Sequence, residues 1–237
     1  AFAPLIHIGA LEQVASQLDM DLLAVAAEPF AVARSVVGDD DSSLSAILMD
    51  VGGGTTDIAV LDEGGVQGTK MFGIGGRAFT KQIERDLGVP FDQAETHKVA
   101  LSKGALPDAK KKSVEKSLMK TVKVWRSGVE LALDEFQNLE HLPHVIYLCG
   151  GGASLELLVD ELEQSSWYRD LPFAKKPSVK YISPDEVVGI LDMTNDLDDH
   201  TFITAMGLLR VGIDTIGQTD DTDDVSIRDR INRILRI

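Results

Sequence analysis

The chain has a single cysteine, Cys149, among 237 residues, which excludes an intramolecular disulfide framework and fits a reducing cytosol. It has no apolar run approaching the ~18–20 residues that a membrane-spanning helix needs, and no signal-peptide pattern opens it. Basic side chains are scarce beside acidic ones, 23 against 38, for a formal charge of −15. That balance argues against nucleic-acid binding, because neutralising a phosphate backbone needs a basic face. No internal repeat is found, and low-complexity sequence is confined to one acidic run near the C-terminus. The rest is ordinary. Hydrophobic residues at 44% and charged residues at 26% exclude wholesale disorder, and the length suits one large domain or two modest ones. The chain begins at Ala1 rather than methionine, as a piece of something longer would.

Apolar spacing organises what is present. Ile8, Leu11, Val14, Ala15 and Leu18 share a helical face, and a short apolar run follows at 22–26. Glu28-Pro29 opens a small-residue helix over 30–37, with Pro29 suited to a first turn. The acidic triplet at 39–41 reads as a solvated turn. Residues 46–51 read as a buried strand, 57–61 as a second and 67–72 as a third, two hairpins forming an antiparallel meander. The period then becomes helical through Phe79, Ile83 and Leu87, stopped by Gly88. The longest periodic segment runs from Val114 through Leu118, Val122, Trp125, Val129 and Leu133 to Phe136. Residues 145–148 are a buried strand, after which Gly150-Gly151-Gly152 opens a helix over 155–162. A last helix is expected at 202–209, with polar chain from Gly212.

The strongest chemical signal is Asp50-Val51-Gly52-Gly53-Gly54-Thr55-Thr56-Asp57 between two strands. Three glycines let a backbone approach a ligand and turn successive amides inward, a nest suited to phosphate oxygens. Thr55 and Thr56 can add hydroxyl donors. Asp50, at the strand end, is placed to hold magnesium through its water shell. A bare hairpin turn would normally use Asn-Gly or Asp-Gly instead. The second signal is Cys149-Gly150-Gly151-Gly152-Ala153-Ser154, where glycines at a helix start would admit a flat ring or a phosphate.

Other patterns carry less. Gly73-Ile74-Gly75-Gly76-Arg77-Ala78 fits the Ala-ended dinucleotide fingerprint, but it follows an antiparallel meander and lacks the expected acidic residue downstream. Gly68-Thr69-Lys70 lacks the Gly-Lys pair of a P-loop. His141 and His144 have no second ligand pair at metal spacing. Cys149 reads as an inert core thiol, and Lys110-Lys111-Lys112 as a solvated helix start.

Both triplets, their order and their spacing resemble the actin/heat-shock-chaperone/sugar-kinase superfamily. Asp50–Asp57 resembles its second phosphate motif and Leu148–Ala153 its adenosine motif. Glu28-Pro29 with its helix resembles the first connecting helix, and Ala205-Met206-Gly207-Leu208-Leu209 the second. Within the superfamily the chain is most similar to the bacterial cell-division family FtsA, through Gly75-Gly76 with Phe79, Thr80 and Ile83, through Ala94-Glu95 with Lys98, and through Arg126 and Glu130. The likeness spans about residues 20–213.

The resemblance implies an α/β fold: a ribonuclease-H-like, actin-like ATPase lobe whose mixed sheet begins in the meander, plus a smaller inserted subdomain. Residues 1–37 would be the end of a first lobe and the first connecting helix. Residues 38–76 and 145–213 would form the nucleotide-binding core, and 77–144 the inserted helical subdomain. An acidic linker at 214–225 and an amphipathic helix at 226–237 would follow. The family's first phosphate motif belongs upstream of the first connecting helix, so the chain looks like a second lobe carrying half of an ATP site.

Carried over residue by residue, Gly52, Gly53, Gly54, Thr55 and Thr56 would contact the β- and γ-phosphates of ATP. Asp50 would orient water bound to Mg2+, and Glu28 would lie near the metal or the attacking water. Glu95 and Lys98 would meet ribose or adenine, and Gly150, Gly151, Gly152 and Ala153 the adenosine. Weak or absent ATPase activity is implied for such a half-site. The implied role is a division-ring adaptor that self-assembles, recruits a tubulin-like partner, and is held peripherally on the inner face of the cytoplasmic membrane. The C-terminus fits that role: Ile227, Ile231, Ile234 and Leu235 make one stripe on a helix, beside Arg228, Arg230, Arg233 and Arg236. The alternative is a PilM-like pilus-assembly scaffold. A small-molecule kinase is disfavoured, since no acidic base or sugar-binding insertion is evident.

Overall fold

The computed structural model describes residues 4–38 and 43–217. The expected turn at 39–41, most of the acidic linker and the amphipathic segment 226–237 lie outside the described residues.

The expected meander is present as β1 (Ala46–Val51), β2 (Thr56–Asp62) and β3 (Gly65–Phe72), paired antiparallel. β4 (Val145–Cys149) then joins β1 in parallel, and β5 (Ser178–Tyr181) joins β4 in parallel, giving the order β3-β2-β1-β4-β5. β1 is buried along its whole length, because helices cover both faces of the sheet. The period-2 rule divides its residues cleanly. Ile47, Met49 and Val51 face one cluster with Ile58, Val60, Ile146 and Leu148, while Ala46 and Leu48 face the other with Ala59, Leu61 and Cys149.

The first layer comprises α3 (Gly76–Leu87), α4 (Phe91–Ser102), α5 (Asp108–Asp134) and α6 (Glu156–Gln164). Phe79, Ile83, Leu118, Trp125, Leu133 and Leu158 bring their apolar faces into one cluster with the sheet. Gly88 stops α3 in the left-handed conformation, with its amide on the Glu84 carbonyl, as expected. The opposite layer is α2 (Glu28–Val36) against α7 (Ile203–Gly217), through Val32, Ala33, Ile203 and Met206. Their backbones approach so closely that a Cβ on Gly207 would lie 2.1 Å from the Ala31 carbonyl oxygen.

Three features differ from expectation. α7 continues to Gly217 rather than ending near 209, because Asp214 pairs with Arg210 one turn earlier and with Arg34 on α2. The second glycine triplet runs into a tight turn over Gly151–Ser154 rather than directly into α6, with Leu155 extended and buried between the two. α1 (Leu5–Gln17) is helical as its spacing predicts, yet buries no residue against the described chain.

Candidate functional site

The chain leaves β1 at Val51, crosses Gly52 to Thr55, and returns in β2. The first turn of α3 pins this loop by its carbonyls. The amide of Gly76 donates to the Gly52 oxygen at 2.8 Å and the amide of Arg77 to the Gly53 oxygen at 2.8 Å. Gly75 makes that approach possible, since a Cβ there would lie 2.6 Å from the Gly52 oxygen. With the carbonyls turned to the helix, the amides of Gly53 and Gly54 find no backbone acceptor among the described residues. Side chains at Gly52, Gly53 and Gly54 would meet nothing closer than 3.4 Å, and none of the three has a positive φ. The fold therefore does not demand glycine here. The triplet leaves an uncovered backbone with donors to spare, which is anion chemistry.

Thr55 is half-buried, and its hydroxyl offsets part of the burial that raises the Asp57 pKa. Thr56 corrects the expectation of a second phosphate hydroxyl. It is fully buried, donates to the Ile74 carbonyl at 2.7 Å and accepts from the Trp125 indole at 2.9 Å. Side chains alternate along a strand, so Thr56 points into the core.

The second triplet sits directly behind the first, because Cys149 is in parallel register with Asp50. Gly150 has φ +83°, and its Cβ would collide with Asp50 Oδ1 at 2.1 Å; a Cβ on Gly152 would lie 2.7 Å from the Val51 oxygen. Gly150 therefore serves close packing rather than ligand contact. Ala153 is fully buried, and its carbonyl accepts the Tyr181 hydroxyl at 3.0 Å, so it too lies behind the surface. Gly151 is exposed, and Gly152, though buried, borders the open side with it.

There they meet the first triplet across a cavity of about 480 Å³, lined by Gly53, Arg77, Glu95, Lys98, Gly151 and Gly152 among others. Lys98 Nζ donates to Glu95 at 2.8 Å, to Thr80 at 3.0 Å and to the Gly76 carbonyl at 3.0 Å. Burial alone would raise the Glu95 pKa, but the hydrogen bonds from Lys98 and Thr80 outweigh it and hold the carboxyl below its usual value. The pair thus locks α4 to the start of α3. A larger groove of about 960 Å³ lies between α2, α7 and the β2–β3 turn, lined by none of the sequence-predicted site residues.

On the other side of the loop the charge reverses. Burial raises the Asp50 pKa, against a hydrogen bond from Thr204 on α7. Burial also raises Glu28, helped by the neighbouring charges of Asp57 and Asp50, and it raises Asp57. Three carboxylates that repel one another beside a glycine loop fit a cation. Among the described residues no group of three such side chains is close enough to ligate a metal directly. Glu28, Asp50 and Asp57 could thus meet a divalent ion only through its water shell, the binding that magnesium favours.

Sequence reasoning missed the far wall. His200 stacks on Tyr181 with ring centroids 4.4 Å apart and lies 3.2 Å from the Ser154 hydroxyl, while Ser154 and Asp199 line the cavity. Ser154 ends the second glycine motif, but no local pattern marks Tyr181, Asp199 or His200.

Residues 47–207 match the sequence model of the cell division protein FtsA family. FtsA of Neisseria meningitidis serogroup B is 38% identical over 72 residues, 30% of this chain and 17% of that protein. A chain of the PilM–PilN type IV pilus biogenesis complex superposes with a TM-score of 0.68 at 17% identity, over 87% of this chain and 57% of the other. MreB 5 of Spiroplasma citri bound to AMPPNP superposes with a TM-score of 0.58 at 14% identity, over 93% of this chain and 68% of its own. The chain thus matches part of each of these proteins and shares an actin-like fold with the last two.

Proposed function

Because this chain belongs to the FtsA family of cell division proteins, we propose that it is the second, nucleotide-binding lobe of an actin-like division protein and takes Mg2+–ATP. One observation carries this reading. Residues far apart in sequence, Gly53 of the first triplet, Glu95 and Lys98 of α4, and Gly151 and Gly152 of the second triplet, converge on one cavity. The loop between Glu28, Asp50 and Asp57 on one side and Arg77 and Lys98 on the other suits a polyphosphate carrying a divalent cation. Bound magnesium would neutralise phosphate charge; Asp50 and Glu28 would orient its waters, and the amides of Gly53 and Gly54 would hold the phosphates. Gly52 and Thr55 would shape that seat, and Glu95 and Lys98 would border the ribose or adenine.

A site clamped from one side loses opposing contacts and pre-organisation. The chain alone is expected to bind ATP weakly and to show no magnesium-dependent hydrolysis; submicromolar affinity in calorimetry would overturn the half-site reading. That α1 buries no residue against the described chain is consistent with a further lobe packing there. Gly53→Val tests the loop. Its Cβ would meet just the flexible Arg77 side chain, at 3.7 Å, so stability should stay within about 0.5 kcal/mol. The added methyls would cover the free amides, and ATP affinity in an NMR titration should fall at least about tenfold. Unchanged affinity would leave the triplet a turn.

Self-assembly, a tubulin-like partner and attachment to the inner membrane face complete the proposal. Attachment rests on the sequence of 226–237, at about 1 kcal/mol per basic residue near an anionic surface. Anionic vesicles should co-sediment the intact chain in a salt-sensitive way and fail to co-sediment a chain ending at 225. Equal sedimentation of both would favour a PilM-like scaffold.

A further inference from the structure

Arg77 belongs to the Gly-Gly-Arg-Ala stretch that resembles a dinucleotide fingerprint without the surroundings for one. Its position gives it another use. The amide, on the first turn of α3, holds the Gly53 carbonyl, and the side chain folds back so that Nε also approaches that oxygen, at 3.3 Å. The guanidinium then lies over the tip of the glycine loop: a Cβ on Gly54 would be 3.4 Å from Arg77 Nη2, and one on Gly53 3.7 Å from it. The same residue lines the cavity.

Charge sharpens the point. The chain has 38 acidic against 23 basic side chains, yet no carboxylate among the described residues forms an ion pair with Arg77. Lys98, in the same wall, is already engaged by Glu95, Thr80 and the Gly76 carbonyl. Lys103, also on the wall, is near enough to Asp199 to help hold that carboxyl below its usual value. Arg77 alone brings an ion-unpaired, planar, multi-donor cation to the place where two backbone amides are also free.

We infer that Arg77 is a phosphate ligand of this site, its guanidinium and the Gly53 and Gly54 amides together seating the terminal phosphates of a nucleoside polyphosphate. The inference rests on the nucleotide reading above. A guanidinium fork suits paired phosphate oxygens as a lysine ammonium does not. A latch on the Gly53 carbonyl alone would need no free donors and would be indifferent to phosphate.

NMR titration of the full chain with tripolyphosphate, ATP and adenosine separates these roles. Arg77→Gln should weaken tripolyphosphate and ATP binding by at least about tenfold, the value of one charged hydrogen bond, and leave adenosine binding unchanged. Arg77→Lys, which keeps charge but not the fork, should fall between. If wild type binds ATP and Arg77→Gln binds ATP and tripolyphosphate equally well, Arg77 is a latch and the nucleotide reading stands. If Arg77→Gln weakens adenosine as much as ATP, the substitution has disturbed the cavity and the assignment falls. If wild type binds neither ATP nor adenosine at millimolar concentration, the nucleotide reading falls and takes the assignment with it.

Discussion

Gly150→Ala is expected to destabilise the chain by several kcal/mol, although it adds a single methyl group. Gly150 has φ 83° and ψ 155°, a region essentially reserved for glycine, where another residue is strained by about 1–3 kcal/mol. The new Cβ would also lie 2.1 Å from Asp50 Oδ1 and 2.7 Å from the Val51 carbonyl oxygen. Neither neighbour gives way easily. The Val51 carbonyl belongs to a buried strand, and the Asp50 carboxylate accepts the Thr204 hydroxyl that joins β1 to α7. Overpacking of this kind adds about 1–3 kcal/mol. Gly151→Ala is the control: its Cβ would meet nothing within 4 Å and its φ is not positive, so stability should change by at most about 0.5 kcal/mol. Urea unfolding of the two variants measures the contrast. Equal midpoints would mean that the second triplet is not packed against β1 as described.

That contrast also shows where sequence reading stops. The meander, the long helix and both glycine triplets are legible because each rests on a local signal: period two, period three to four, or a run of one residue type. α4 is not legible by period, since it buries just Ala94 and His97 and is visible through family resemblance alone. β5 is four half-exposed or exposed residues, Ser178–Tyr181, too short for alternation to register. Within the site, the triplets are alike in sequence but not in use. Gly53 and Gly151 face the cavity, Gly152 both lines it and packs on Val51, and Gly150 and Ala153 lie behind it. Deciding among them needs the register of β4 on β1, a non-local fact. Thr56 fails for a related reason, because which of two adjacent threonines points inward depends on which face α5 covers. Arg77 fails because its neighbours resemble the wrong motif.

Trp125→Ala is expected to have the largest effect of any single truncation, about 3–5 kcal/mol, a substantial part of the 5–15 kcal/mol typical of a domain. Trp125 is fully buried, and its indole N–H on α5 donates to Thr56, whose hydroxyl donates in turn to the Ile74 carbonyl. Ile74 immediately precedes Gly75, Gly76 and Arg77, which pin the glycine loop at 52–54. The chain of bonds therefore runs from the long helix, through the start of β2, to the residues that fix the site. Variants can divide packing from bonding. Thr56→Val keeps the volume but leaves the indole N–H and the Ile74 oxygen without their shared partner, at about 1–3 kcal/mol for each group. Thr56→Ser restores the hydroxyl and should recover most of that loss. Trp125→Phe leaves the Thr56–Ile74 bond intact and should be milder than Thr56→Val. Because Ile74 would lose its restraint, Thr56→Val should also weaken ATP binding under conditions where the protein remains folded, and Trp125→Phe should do so less. Urea midpoints together with NMR titration give both orders. If Thr56→Val destabilises the chain while ATP affinity is untouched, the indole–hydroxyl–carbonyl chain supports the core and has no part in holding the loop.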